Sequence, residues 1–177
     1  DGEGFGLELA PIGDMNQDGI RDFLVGSPCY LDSNGIQTGR AGLFSGIDGS
    51  LIFAHTSPSG NYARFGAYIS DLRDINGDGA FDYCITNPSA NSGKGEVTFY
   101  SGANHSVFGS LSGEAAGDGF GGVVATIGDV DDDSIADFAI GAPLHDYAGT
   151  DAGRTYLYSG ATLTLLQTID GENAGDF

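Results

Sequence analysis

Basic residues are scarce in this sequence. Of 177 residues only six are Lys or Arg, against 25 Asp or Glu, which gives a net charge of −19. So few cations cannot meet the phosphates of a nucleic acid, whose binding is dominated by Lys and Arg contacts. The same balance excludes attraction to an anionic membrane surface. The only lysine, Lys94, lies in a polar Gly-rich loop rather than the apolar pocket a Schiff-base lysine needs, and reads as solvated. Cysteine is also scarce. Cys29 and Cys84 are too few for a disulfide scaffold. No apolar run approaches transmembrane length, none reads as a signal peptide, and the start at Asp1 without Met reads as a processed or excised piece. No Gly-x-Ser-x-Gly elbow, Walker loop or dinucleotide fingerprint occurs, and His55, His105 and His145 show no metal-ligand spacing. Asp32, Asp146 and Asp151 fall in variable loops and read as surface charges. These absences point away from catalysis.

Glycine is abundant, at 31 residues without a collagen period, as many tight turns between short strands require. The acidic residues are concentrated in three nine-residue stretches, Asp14–Asp22, Asp74–Asp82 and Asp129–Asp137. Each has oxygen side chains at positions 1, 3, 5 and 9: Asp14, Asn16, Asp18, Asp22; Asp74, Asn76, Asp78, Asp82; and Asp129, Asp131, Asp133, Asp137. Alternate oxygens converge when such a loop curls, and position 7 adds its backbone carbonyl, from Ile20, Ala80 and Ile135. A set of this kind suits a hard cation, and calcium accepts six to eight oxygens in flexible geometry. Gly19 and Gly79 stand at position 6, where a sharp turn wants φ > 0, and Ser134 takes that place in the third loop. Asp132, at position 4, is expected to face solvent. An EF-hand would need Glu at position 12 between helices, but Val25, Ile85 and Ile140 stand there with no helical period around them. A metal-free Asx/Gly turn explains one copy, and three copies in matching context favour three calcium sites.

The loops belong to a longer repeat. Phe5-Gly6, Phe65-Gly66 and Phe120-Gly121 each precede the first loop Asp by nine residues, and Pro28, Pro88 and Pro143 each follow it by fourteen. Within each block the pattern predicts a strand (5–12, 65–72, 120–127), the loop, and a second strand ending at the proline. A variable loop follows, then a third strand ending in Ser-Gly and a fourth over 51–55, 107–111 and 163–169. Four antiparallel strands per unit read as propeller blades, with boundaries at 1–59, 60–114 and 115–177. The last segment also holds the start of a next repeat, since Gly171–Phe177 echoes Gly113–Phe120. A twelve-stranded sandwich is the rival, but sandwiches do not demand a repeat. Phe5, Phe65 and Phe120 read as packing between blades, and Cys84, in the slot of Leu24 and Ala139, as core. Asn104-His-Ser106 is a glycosylation sequon.

Phe-Gly, the Asp-x-Asn-x-Asp-Gly-x-x-Asp loop and Gly141-Ala142-Pro143 resemble FG-GAP repeats. These build the β-propeller of integrin α-subunits and many secreted bacterial proteins. The first repeat has Gly26-Ser27-Pro28, and the second departs to Thr86-Asn87-Pro88. The resemblance covers nearly the whole chain. It implies a calcium loop between strands one and two of each blade, and an extracellular role in structure, adhesion or assembly without catalysis. An accessory propeller of a secreted hydrolase is the alternative. Three blades leave two faces uncovered, which implies further blades of a longer chain or self-association. A protein or glycan ligand would meet the variable loops opposite the calcium loops.

Overall fold

The computed structural model describes residues 2–57, 64–147 and 149–175. Asp1, the 59/60 repeat boundary and the tail residues Asp176 and Phe177 lie outside the described residues. The chain is all-β. Among the described residues there are twelve strands: β1 (Glu8–Pro11), β2 (Phe23–Ser27), β3 (Arg40–Phe44), β4 (Leu51–Thr56), β5 (Ile69–Arg73), β6 (Asp82–Asn87), β7 (Glu96–Tyr100), β8 (Val107–Ser112), β9 (Val123–Gly128), β10 (Asp137–Ala142), β11 (Arg154–Tyr158) and β12 (Leu165–Asp170). They form three four-stranded antiparallel meanders, β1–β4, β5–β8 and β9–β12, each paired in chain order. The first strands of successive sheets, β1, β5 and β9, lie against one another, as blades around an axis do.

Two differences from the sequence pattern have a common cause. The first strands start three or four residues after the Phe of Phe-Gly, because Gly6, Gly66 and Gly121 take φ of 83°, 84° and 83°, which no strand accommodates. The fourth strand of the last sheet starts at Leu165 rather than 163, because Leu163 has φ of 56°. Each third strand also slips register against the fourth at the same place, between Leu43/Phe44, Phe99/Tyr100 and Leu157/Tyr158. A bulge there bends the outer strand just before the Ser-Gly turn.

The core lies between sheets rather than within them. Side chains alternate across a strand, so each sheet has two faces. Tyr83, Ile85 and Tyr100 of the second sheet join Ala10, Ile12, Leu24, Ala41 and Leu43 of the first in one cluster. Their neighbours Cys84, Val97 and Phe99 point the other way and join Phe138, Ile140, Tyr156 and Tyr158 of the third sheet in another. A stacked aromatic pair marks the same face of every sheet: Phe23–Phe44, Tyr83–Tyr100 and Phe138–Tyr158, with centroids 5.8, 5.5 and 5.8 Å apart. Phe65 and Phe120 are buried in the two clusters, whereas Phe5 is 65% exposed against the edge of Phe44. The difference is positional: among the described residues no sheet packs against that face of the first. Cys29 and Cys84 are both free thiols.

Candidate metal centres

The three acidic loops are built by one network. The position-1 carboxylate accepts from the N–H groups of positions 5 and 6: Asp14 from Asp18 and Gly19, Asp74 from Asp78 and Gly79, Asp129 from Asp133 and Ser134. The position-5 carboxylate accepts from the position-7 N–H of Ile20, Ala80 or Ile135. The position-9 carboxylate is buried and ties the loop to the rest of its sheet. One oxygen of Asp22, Asp82 or Asp137 accepts from the N–H of Met15, Ile75 or Val130, at 2.7, 3.0 and 2.7 Å. The other accepts from the Ser-Gly turn, at Gly46, Gly102 or Gly160. Positive φ recurs at positions 4 and 6: Gln17 and Gly19, Gly77 and Gly79, Asp132 and Ser134. Ser134, with φ of 75°, holds the backbone shape that glycine holds elsewhere, at a steric cost of about 1 kcal/mol.

Among the described residues, three carboxylates converge in the third loop and not in the first two. In the third, ligand oxygens of Asp129, Asp131 and Asp137 lie within 4.8 Å of one another, while Asp132 is exposed. Asp133 is outside that group. In the first two loops the position-5 carboxylate leans toward the serine that ends the third strand, Asp18 to Ser45 at 3.3 Å and Asp78 to Ser101 at 2.6 Å. In the second loop the Asn76 amide nitrogen donates to both Asp78 and Asp82 at 3.0 Å, putting a positive dipole where a cation would sit. Burial pushes Asp82 up to about 6. Asp131 is also raised, by desolvation and by the charges of Asp133 and Asp137, whereas the Ser101 hydroxyl holds Asp78 below the usual range. The donor set is all oxygen, crowded and anionic, which fits a hard divalent cation. Clefts lined by Asp14 with Asp78, and by Asp74 with Asp129, place the three loops side by side at one end of the molecule. At the other end Pro28, Pro88 and Pro143 share a cavity of about 500 Å³ with Tyr68, Arg64 and Glu8.

The sequence pattern left two polar clusters unread. His55 donates to or accepts from Tyr83 Oη at 2.8 Å, and that oxygen also meets His105 Nδ1 at 3.2 Å, across the seam between the first two sheets. His145 and Arg154 both reach Glu114 at 3.3 Å, and Arg154 lies over the Tyr147 ring. Partners so far apart in sequence give no local motif. The repeated Ser-Gly was legible only as a turn, not as a clasp on the position-9 Asp.

The sequence model of the FG-GAP repeat family matches residues 120–158, from Phe120 through the third loop to Tyr158. Integrin alpha-4 of Xenopus laevis is 32% identical over 168 residues, covering 89% of this chain. The chain belongs to the FG-GAP repeat proteins. Its FG-GAP repeats are also similar to phosphatidylinositol-glycan-specific phospholipase D of Bos taurus, 31% identical over 91% of the chain. The match spans 16% of the integrin subunit and 21% of the phospholipase. Among solved structures, a Bacillus licheniformis rhamnogalacturonan lyase superposes with a TM-score of 0.52, covering 95% of this chain and 35% of that one. At 16% identity that likeness concerns the fold alone.

Proposed function

We propose that this FG-GAP chain is a non-catalytic, extracellular calcium-binding propeller module for structure, adhesion or assembly, with one blade per repeat at 1–59, 60–114 and 115–177. The observation that carries it is the threefold recurrence of one loop network, whose third copy brings three carboxylates together. Calcium at Asp14, Asn16, Asp18 and Asp22, with the Ile20 carbonyl, would staple β1 to β2. The equivalent residues of the other loops, with the carbonyls of Ala80 and Ile135, would staple β5 to β6 and β9 to β10. Bound calcium would neutralise crowded carboxylates. The chain's own residues do the rest: position-1 Asp shapes the turn, and position-9 Asp ties it to the third strand. A protein or glycan ligand would meet the proline-lined end, and Asn104, exposed beside β8, would carry a glycan. The phospholipase relative favours one second reading, an accessory propeller of a hydrolase.

The test is calcium removal. A ligand that binds only the folded state stabilises by about 2.7 kcal/mol at a hundredfold excess over Kd. Excess EDTA is therefore expected to lower the melting temperature clearly, and calorimetric titration of the metal-free protein should return three sites. An unchanged melting curve on protein confirmed metal-free would sink the reading. Turnover of glycan or ester substrates by the chain alone would sink its non-catalytic part.

A further inference from the structure

The seam between the first two sheets differs from the seam between the second and third at three positions. His55 on β4, Tyr83 on β6 and His105 in the turn after β7 meet at the first. Their repeat equivalents, Leu111, Phe138 and Leu163, pack together in the apolar cluster of the second. Strand register fixes the equivalence, since His55 pairs with Ala41 as Leu111 pairs with Val97. The turn fixes it too: the His105 N–H donates to the Ser101 carbonyl as the Leu163 N–H donates to that of Ser159. An apolar trio closes the second seam, so packing alone does not call for the polar trio of the first.

The polar atoms of that trio face one another. Tyr83 Oη lies 2.8 Å from His55 Nε2 and 3.2 Å from His105 Nδ1. Zinc binds imidazole nitrogen at about 2.0–2.1 Å, which sets tetrahedral donors about 3.3 Å apart. Small shifts would therefore admit such an ion among the three, and the half-buried turn that carries His105 can supply them. His55 and Tyr83 are buried, and the ring of Phe53 lies 4.9 Å from that of His55 and 5.0 Å from that of His105. His105 holds φ of 60° where the first repeat has Gly49, a backbone shape that strains a side chain more than it strains glycine. Burial holds both imidazoles below their usual value, so each keeps an unprotonated nitrogen at neutral pH. Imidazole nitrogens suit zinc and copper, whereas calcium takes oxygen.

We propose that His55, Tyr83 and His105 bind a nitrogen-seeking divalent metal ion, zinc or copper(II), through Nε2, Oη and Nδ1. A fourth position beside His105 would face solvent and take water. His55 comes from the first sheet and the other two residues from the second. The ion would therefore pin two sheets across their seam, whereas each acidic loop joins strands of a single sheet. The donors belong to none of the acidic loops, so the site stands or falls apart from the calcium reading.

Zinc chloride titrated into the 177-residue chain, held in saturating calcium chloride to fill the acidic loops, tests this. Calorimetry is expected to show one zinc site, and the melting temperature should rise above its value in calcium alone. His55→Leu, Tyr83→Phe and His105→Leu each install the residue of the second seam, which that seam shows to be compatible with the fold. Each should weaken zinc binding at least tenfold, while calcium-dependent melting stays as in the wild type. If His55→Leu does not fold, His105→Leu, at the half-buried turn, decides. Copper(II) in place of zinc should give an electron paramagnetic resonance spectrum coupled to two imidazole nitrogens, reduced to one in either histidine variant. A wild type that neither binds zinc nor melts higher with it overturns the proposal and leaves a hydrogen-bonded trio. Zinc binding that survives both histidine substitutions overturns it as well, since the ion then sits elsewhere. A zinc response in a chain whose melting ignores calcium would uphold this site and sink the loop reading.

Discussion

His55 is a buried base with no carboxylate partner among the described residues. It is 7% exposed, accepts or donates one hydrogen bond with Tyr83, and packs its ring 4.1 Å from Tyr100 and 4.9 Å from Phe53. Burial, and then the charge of His105, lower it to about 4. The groups facing it are Tyr83 and Tyr100, both raised by burial, and His105, itself lowered by burial. None offers a negative charge at neutral pH. A group whose folded value lies below its unfolded value binds more protons when unfolded, so its contribution is present above about 6.5 and is lost as pH falls toward 4. The full loss is of the order of 3 kcal/mol. His55→Gln keeps a polar tip but cannot titrate. Urea denaturation at several pH values should show a curve flatter by that amount for the variant, and parallel curves would count against a neutral, buried His55. The sequence held no sign of this residue's setting. Its partners come from another sheet, and its repeat position is filled by other residue types in the remaining copies.

Within one loop, two aspartates that look alike do different work. Asp137 accepts two backbone N–H bonds, from Val130 at 2.7 Å and Gly160 at 2.9 Å, and is fully buried. Asp131 is exposed, lies beside Asp129 and Asp137, and is raised by desolvation and by the charges of Asp133 and Asp137. Asp137→Ala should therefore cost about 2–4 kcal/mol even in EDTA, because two N–H groups lose their acceptor. Asp131→Ala should cost stability only when calcium is present and should remove one site from a calorimetric titration. Equal losses for the two variants in EDTA would contradict this division. The loop positions, the order of strands and the proline stops were legible, because a 1-3-5-9 oxygen pattern and two-residue alternation are local. The start of each first strand was not. Phe-Gly looks like the beginning of a strand, and only the positive φ of Gly6, Gly66 and Gly121 shows that it is a turn.

Across the whole molecule, repetition told how many sheets there are but not how they share a core. That depends on which residues of a strand point forward and which back. Cys84, placed by its slot as core, lies on the forward face, toward the third sheet, whereas Tyr83 and Ile85 face the first. The middle sheet is thus covered on both sides, and all six residues of β6 are buried. Its strand pairs with β5 on one edge and β7 on the other. No small opening exposes such a strand, since a local fluctuation would have to separate two seams at once. In deuterated buffer the β6 amides should therefore exchange only through global unfolding, at a rate set by total stability. Those of β1, β8 and β12, with exposed residues along their length, should exchange through partial opening. Calcium should then slow β6 by the same free energy by which it raises the melting transition, making one strand without a single proposed side-chain ligand apart from Asp82 the isotopic gauge of all three sites.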